Sequence, residues 1–129
     1  MSYRLEFDKD NKVLCTAFEG QLSFADFLPS EVETRRYIQE KTPVAGIWDY
    51  SEVTSFDVSP IEVRQMAKMP PIYPPGVPRF AIAPSDYVYR MFRMFQILGE
   101  ENRPDLQVVR TRKEAYKILG FQGMNFERI

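Results

Sequence analysis

"IWDYSEVTSFDVSPIE" runs from Ile47 to Glu62, and it reads as a strand, a loop and the first turn of a helix. Val44 to Trp48 is a short apolar run of the kind a strand buried on both faces requires, with Asp49 at its C-terminal end. Ser59-Pro60-Ile61-Glu62 then sets a hydroxyl at the N-cap, a proline at the first helical position and an acid three residues after the cap. The serine oxygen can accept from a first-turn N–H, and the glutamate can answer the cap's own N–H. Proline lacks only an N–H that would find no partner in that turn. A strand that hands over to a capped helix is half of a βαβ unit.

The same handover recurs along the chain. Arg79 to Ala83 is an apolar run followed by Ser85-Asp86, and Leu106 to Val109 is followed by Thr111-Arg-Lys-Glu114. Ser23-Phe-Ala-Asp26 opens another helix in the same manner. Repeated crossovers imply parallel strands with helices packed over the sheet. Before them, Tyr3 to Phe7 and Val13 to Phe18 alternate at period two around an Asp8–Asn11 turn, which predicts an antiparallel hairpin. The expected fold is a single α/β domain over residues 1–129. It has a mixed, mostly parallel five-stranded sheet, an N-terminal β-hairpin, about four helices and a C-terminal tail at 121–129. Pro29 predicts a kinked or two-piece first helix, Phe24 to Leu28 and Ser30 to Glu40. Gly99 and Gly120 are placed to stop the last two helices. Met69 to Pro78 holds five prolines in ten residues, a stiff connector that either crosses the sheet edge or presents Ile72 and Tyr73 to a partner.

Composition removes several classes of function. The chain has 129 residues, 44% hydrophobic and 27% charged, with a net charge of −1, which argues against a general nucleic-acid or membrane-surface binder. Residues 1–69 carry 12 acids and 8 bases, and residues 70–129 carry 6 acids and 9 bases, a mild polarity between the halves. No histidine occurs, so His-dependent triads, most catalytic zinc sites and the easiest general base near neutral pH are missing. Cys15 is the single cysteine, which rules out an intrachain disulfide and suits a reducing cytosol. No charged segment followed by an apolar one opens the chain, and no apolar run approaches the ~20 residues that span a bilayer. A cytoplasmic protein without cofactor or metal is expected. Asp49, Glu52 and Asp57 form an acidic group in the sequence, but they lack the tight ligand spacing that a hard cation requires.

Three segments carry a resemblance: Ile47 to Pro60, "PRFAIAPSDYVYRMFRMF" from Pro78 to Phe95, and "VVRTRKEAYKILG" from Val108 to Gly120. Together they resemble the strand–loop–helix units of the STAS fold known from bacterial anti-sigma-factor antagonists, and more closely the SpoIIAA-like, STAS-like family of small bacterial proteins. That resemblance implies a regulatory, protein-binding domain. In the antagonists a serine in an Asp-Ser-Ser/Thr-Gly-type loop is phosphorylated by a partner kinase, which breaks a protein complex. The matching position is Ser59, with Asp57 opening the motif. This chain departs from the pattern by Val58 in place of a hydroxyl residue and Pro60 in place of glycine. Two readings of Ser59 therefore stand, a phosphoacceptor and a plain helix cap.

Asp49, Ser59, Ser85 and Thr111 are expected at the carboxyl ends of the strands, where open α/β sheets gather their ligands. No glycine-rich cradle accompanies them, which argues against a nucleotide. The helix from Asp86 to Leu98 carries more apolar residues than one stripe against a sheet requires. Tyr87, Met91, Met94 and Phe95 are accordingly candidates for a partner or ligand surface, together with Asp49, Asp57 and Ser85. The expected function is a non-enzymatic STAS-like domain that contacts a protein partner or itself as a homodimer. The alternative is a binding protein for an apolar or lipid-like small molecule held between sheet and helices.

Overall fold

Alternation and turn chemistry produce the hairpin. In a computed structural model that describes residues 2–129, β1 (Tyr3–Asp8) and β2 (Val13–Ser23) pair antiparallel, with Tyr3 opposite Phe18 and Asp8 opposite Val13. The Asp8 carboxylate closes the turn by accepting from the Asn11 backbone N–H at 3.2 Å and the Asn11 amide at 2.9 Å. From β2 the sheet continues through parallel neighbours: β3 (Ala45–Asp57), β4 (Arg79–Ile82) and β5 (Leu106–Val109). A further strand, β6 (Phe126–Arg128), pairs antiparallel with β1, so the order is β5-β4-β3-β2-β1-β6.

The sheet therefore has six strands rather than five, and part of the expected tail is one of them. Three residues are too few to show a period. Long-range partners place them instead: Ile129 N–H donates to Leu5 O at 3.0 Å, and Phe126 packs 5.8 Å from the Tyr116 ring.

Period two divides the core between the two faces of the sheet. Val13, Cys15 and Ala17 join Ile47, Phe80 and Ile82 under α4 (Arg112–Leu119). Leu14, Thr16 and Phe18 point the other way, toward α1 (Phe27–Lys41), α2 (Pro60–Lys68) and α3 (Asp86–Leu98). Thr16 shares a 2.8 Å hydroxyl bond with Thr34 of α1, which satisfies both buried groups.

Pro29 does not break the first helix at the expected place. It is the third residue of α1, where no intrahelical N–H bond is required, so the helix runs through it to Lys41. The junction falls earlier, where a 3-10 turn at Phe24–Asp26 gives way to α1 at Phe27. β3 also departs from expectation by running on to Asp57. The polar stretch after Tyr50 reads as a loop, but β2 extends alongside it as far as Ser23 opposite Asp57.

The proline-rich connector is a strap on the core. Tyr73 is buried, not presented: its ring meets Trp48 edge-on at 5.4 Å and lies over Gly46. Arg79 ties the strap down by donating from Nη2 to Pro74 O at 3.0 Å and from Nε to Val77 O at 3.2 Å. A Cβ at Gly46 would overlap the tyrosine ring, 2.6 Å from Cε1.

Gly46→Ala should therefore expel Tyr73 and cost about 3 kcal/mol in urea unfolding, as overpacking and loss of a buried ring do. In a Tyr73→Ala background the same change should cost less than about 1 kcal/mol, since the two positions share one space. A second prediction concerns Asp8. Burial alone would raise its pKa. Hydrogen bonds from the Asn11 side chain, Tyr116 and the Asn11 and Asn125 backbone outweigh burial and hold the carboxyl below the ordinary aspartate value. A depressed folded pKa gives stability that is present above the unfolded pKa and lost as pH falls through the folded one. Thermal unfolding of Asp8→Asn beside the unchanged protein should show a stability gap at pH 6–7 that narrows below about pH 4.

Candidate functional site

Helix N-termini gather at one tip of the molecule, and the β2–β3 extension carries the start of α2 there. Ser59 accepts from the Glu62 N–H at 3.2 Å, and the Glu62 carboxylate accepts from the Ser59 N–H at 2.9 Å, so both halves of the expected capping box are made. Ser59 is exposed, as are Asp57 and Ser85. Asp57 accepts from the Ser55 hydroxyl at 3.2 Å, and Ser85 caps α3 by accepting from the Val88 N–H at 3.3 Å. Phe56 meets the ring of Tyr87 at 6.1 Å, which brings the start of α2 beside the start of α3. Arg110 reaches Pro84 O and Asp86 at 3.0 and 2.9 Å and places the start of α4, capped by Thr111, close by. Ile61 is 68% exposed and Tyr87 47%, so an apolar surface accompanies the caps.

Asp49 lies elsewhere. It sits within β3, opposite Ile82 at the end of β4, and is buried on the α4 face. Arg112 holds it from Nε at 2.6 Å and reaches Glu6 from Nη2 at 2.7 Å, while Ser51 donates to it from both backbone and hydroxyl. Glu52 pairs with Arg4 at 2.5 Å. The acidic group of the sequence is thus dispersed: Asp49 and Glu52 are in ion pairs, and Asp57 accepts from Ser55 at the tip. Among the described residues no group of His, Cys, Asp and Glu is arranged to hold a metal ion. Burial pushes the Cys15 thiol far up, which keeps it protonated and unreactive.

α3 divides its apolar residues between core and surface. Met91 and Phe95 are buried, so neither belongs to an exposed face, and Met94 is half-buried against the core. Phe95 instead lines a cavity of about 40 Å³ between the sheet, α1 and α2, with Phe27, Trp48, Tyr50, Phe92 and Arg103. Arg103 is buried at the rim. It donates to Ala67 O at 3.1 Å, Met66 O at 3.4 Å and Met69 O at 2.8 Å, and its guanidinium lies 4.7 Å from the Phe95 ring centre. It thereby caps the C-terminal end of α2 from a distant part of the chain. Sequence pattern gives no sign of Arg103 at this place, nor of Glu31 of α1, which also lines the cavity, because both arrive through tertiary packing.

No family model matches the chain, and no curated protein matches its sequence. Among solved structures it is similar to the anti-sigma factor antagonist SpoIIAA in its unphosphorylated form. The identity is 16%, the match covers 94% of this chain and 99% of that one, and the TM-score is 0.58. The α/β architecture is thus SpoIIAA-like, as the sequence resemblance implied, and the likeness is one of fold.

The Arg112 clamp makes a prediction of its own. Removing it strands the buried carboxylate of Asp49 and the largely enclosed one of Glu6. Arg112→Met should therefore cost about 2 kcal/mol at neutral pH, less than a fully buried pair because solvent reaches the 21% exposed Arg112 side chain. Adding Asp49→Asn to that variant should restore some of the loss in urea unfolding.

Proposed function

We propose that this chain is a cytoplasmic, non-enzymatic, SpoIIAA-like regulatory domain that acts by contact with a partner protein or a second copy of itself. The observation that carries the reading is the tip at the starts of α2 and α3, where Ile61 and Tyr87 expose apolar surface beside the exposed Ser59 cap. A small apolar centre with an aromatic side chain, ringed by polar helix ends, is the composition that protein contacts favour. Ser59 serves this surface as a cap. A phosphate on it would stand beside the Glu62 carboxylate that answers the Ser59 N–H, an unfavourable neighbour for a dianion. The chain belongs to no membrane-crossing class by its helices: among the described residues, none is long and apolar enough to cross a bilayer.

One observation favours a second reading, an apolar small molecule held between sheet and helices. It is the aromatic-walled cavity beside α1 and α2, at the opposite end of α2 from Ser59.

Aspartate caps a helix as well as serine does, so Ser59→Asp should leave stability nearly unchanged while adding charge to the proposed contact. Affinity capture from the native cell, with light scattering for self-association, should show binding weakened by at least about tenfold in Ser59→Asp and in Ile61→Asp. Capture of the same proteins at the same strength by both variants would count against this surface. Phosphopeptide mapping after incubation with lysate and ATP should leave Ser59 unmodified.

A further inference from the structure

The cavity shares Phe27, Glu31 and Met66 with an adjacent open groove of about 270 Å³, which Phe24, Leu28 and Met69 also wall. The cavity exceeds the ~10–15 Å³ that a single water needs. The groove alone approaches the ~300–1,000 Å³ of small-molecule sites. Their walls are apolar, with aromatic rings inside and leucine and methionine outside. The lining they share includes one carboxylate, Glu31, half-buried and accepting no hydrogen bond from any described residue.

Two cations act on that carboxylate only through their charge, and Arg35, one turn along α1, is exposed. Burial pushes the Glu31 pKa above the ordinary glutamate value, and the charges of Arg35 and Arg103 pull against it. Arg103 is already engaged by three carbonyls at the end of α2 and by the face of Phe95, so its charge is met by the negative end of that helix. Glu31 is left as an acceptor in need of a donor, beside rings whose faces favour a cation.

We propose that the cavity and groove bind a small apolar amine, its hydrocarbon part packed among the aromatic and methionine side chains and its ammonium group donating to Glu31. The proposal rests on the second reading above and adds the ligand's chemical class. An alcohol of the same length brings no charge to Glu31, and a carboxylate is repelled by it.

Trp48 is the single tryptophan and lines the cavity, so its emission reports occupancy directly. The full chain at pH 7 is titrated with hexylamine, 1-hexanol and hexanoate. Hexylamine should give a saturable change at a Kd roughly tenfold below the other two, the difference a charge-assisted hydrogen bond supplies. Glu31→Gln, conservative at a half-exposed helix position, should remove that preference while leaving the response to 1-hexanol as it was and the melting temperature no lower. Equal affinity for the three head groups, a preference for hexanoate, or an unaltered preference in Glu31→Gln would overturn the amine assignment and leave the apolar-ligand reading standing. No saturable change with any of the three would overturn both.

Discussion

The ring of Tyr50 lies between those of Phe18 and Phe92, and much of the molecule is organised around that sandwich. Phe18 is parallel to it within 2° at 5.0 Å, and Phe92 stacks at 4.4 Å. Phe27 leans on the same group at 5.5 Å from Phe18. Through four side chains, β2, β3, α1 and α3 are fixed to one another. Each aromatic pair contributes about 0.5–1.5 kcal/mol beyond the area it buries. Tyr50 is also the first residue of β3 beyond its pairing with β4. The strand can run on with one neighbour because its side chains, rather than a second ladder, hold it against α3.

That overhang explains why two surfaces with different chemistry share α2. At the N-terminal end of the helix, the extension delivers Phe56, Asp57 and the Ser59 cap to the tip. At the C-terminal end, Arg103 replaces the missing intrahelical partners of the last carbonyls. A buried guanidinium is costly unless its hydrogens are placed, and three carbonyls and an aromatic face place them here. The same contacts fix one wall of the cavity, so its shape is set by a residue that never has to touch a ligand.

Local rules carried most of the fold and little of the site. Caps at Ser59, Ser85 and Thr111, the hairpin turn at Asp8 and the stop at Gly120 are decided by neighbours a few residues apart, and these could be read directly. β6 and the far half of β3 could not, since both exist only because a distant strand lies alongside. Asp49 was legible as a functional-looking acid at a strand end. Its true partner, Arg112 on α4, is shared with Glu6 on β1 across 106 residues of chain. Met91 and Phe95 looked like surplus apolar surface because a helix wheel cannot show that Tyr50 and Phe56 rise to meet α3 from beyond the end of β4.

β6 has one more effect. Its pairing with Glu6, Phe7 and Asp8 uses the backbone groups of β1 that face away from β2, and Ile129 adds a bond to Leu5. A visiting chain cannot pair with β1 on that flank, and the edge that β6 offers in its place is only three residues long. The long edge that β1 would otherwise present is thereby replaced by a short one, which leaves little main chain for an extended segment to pair with.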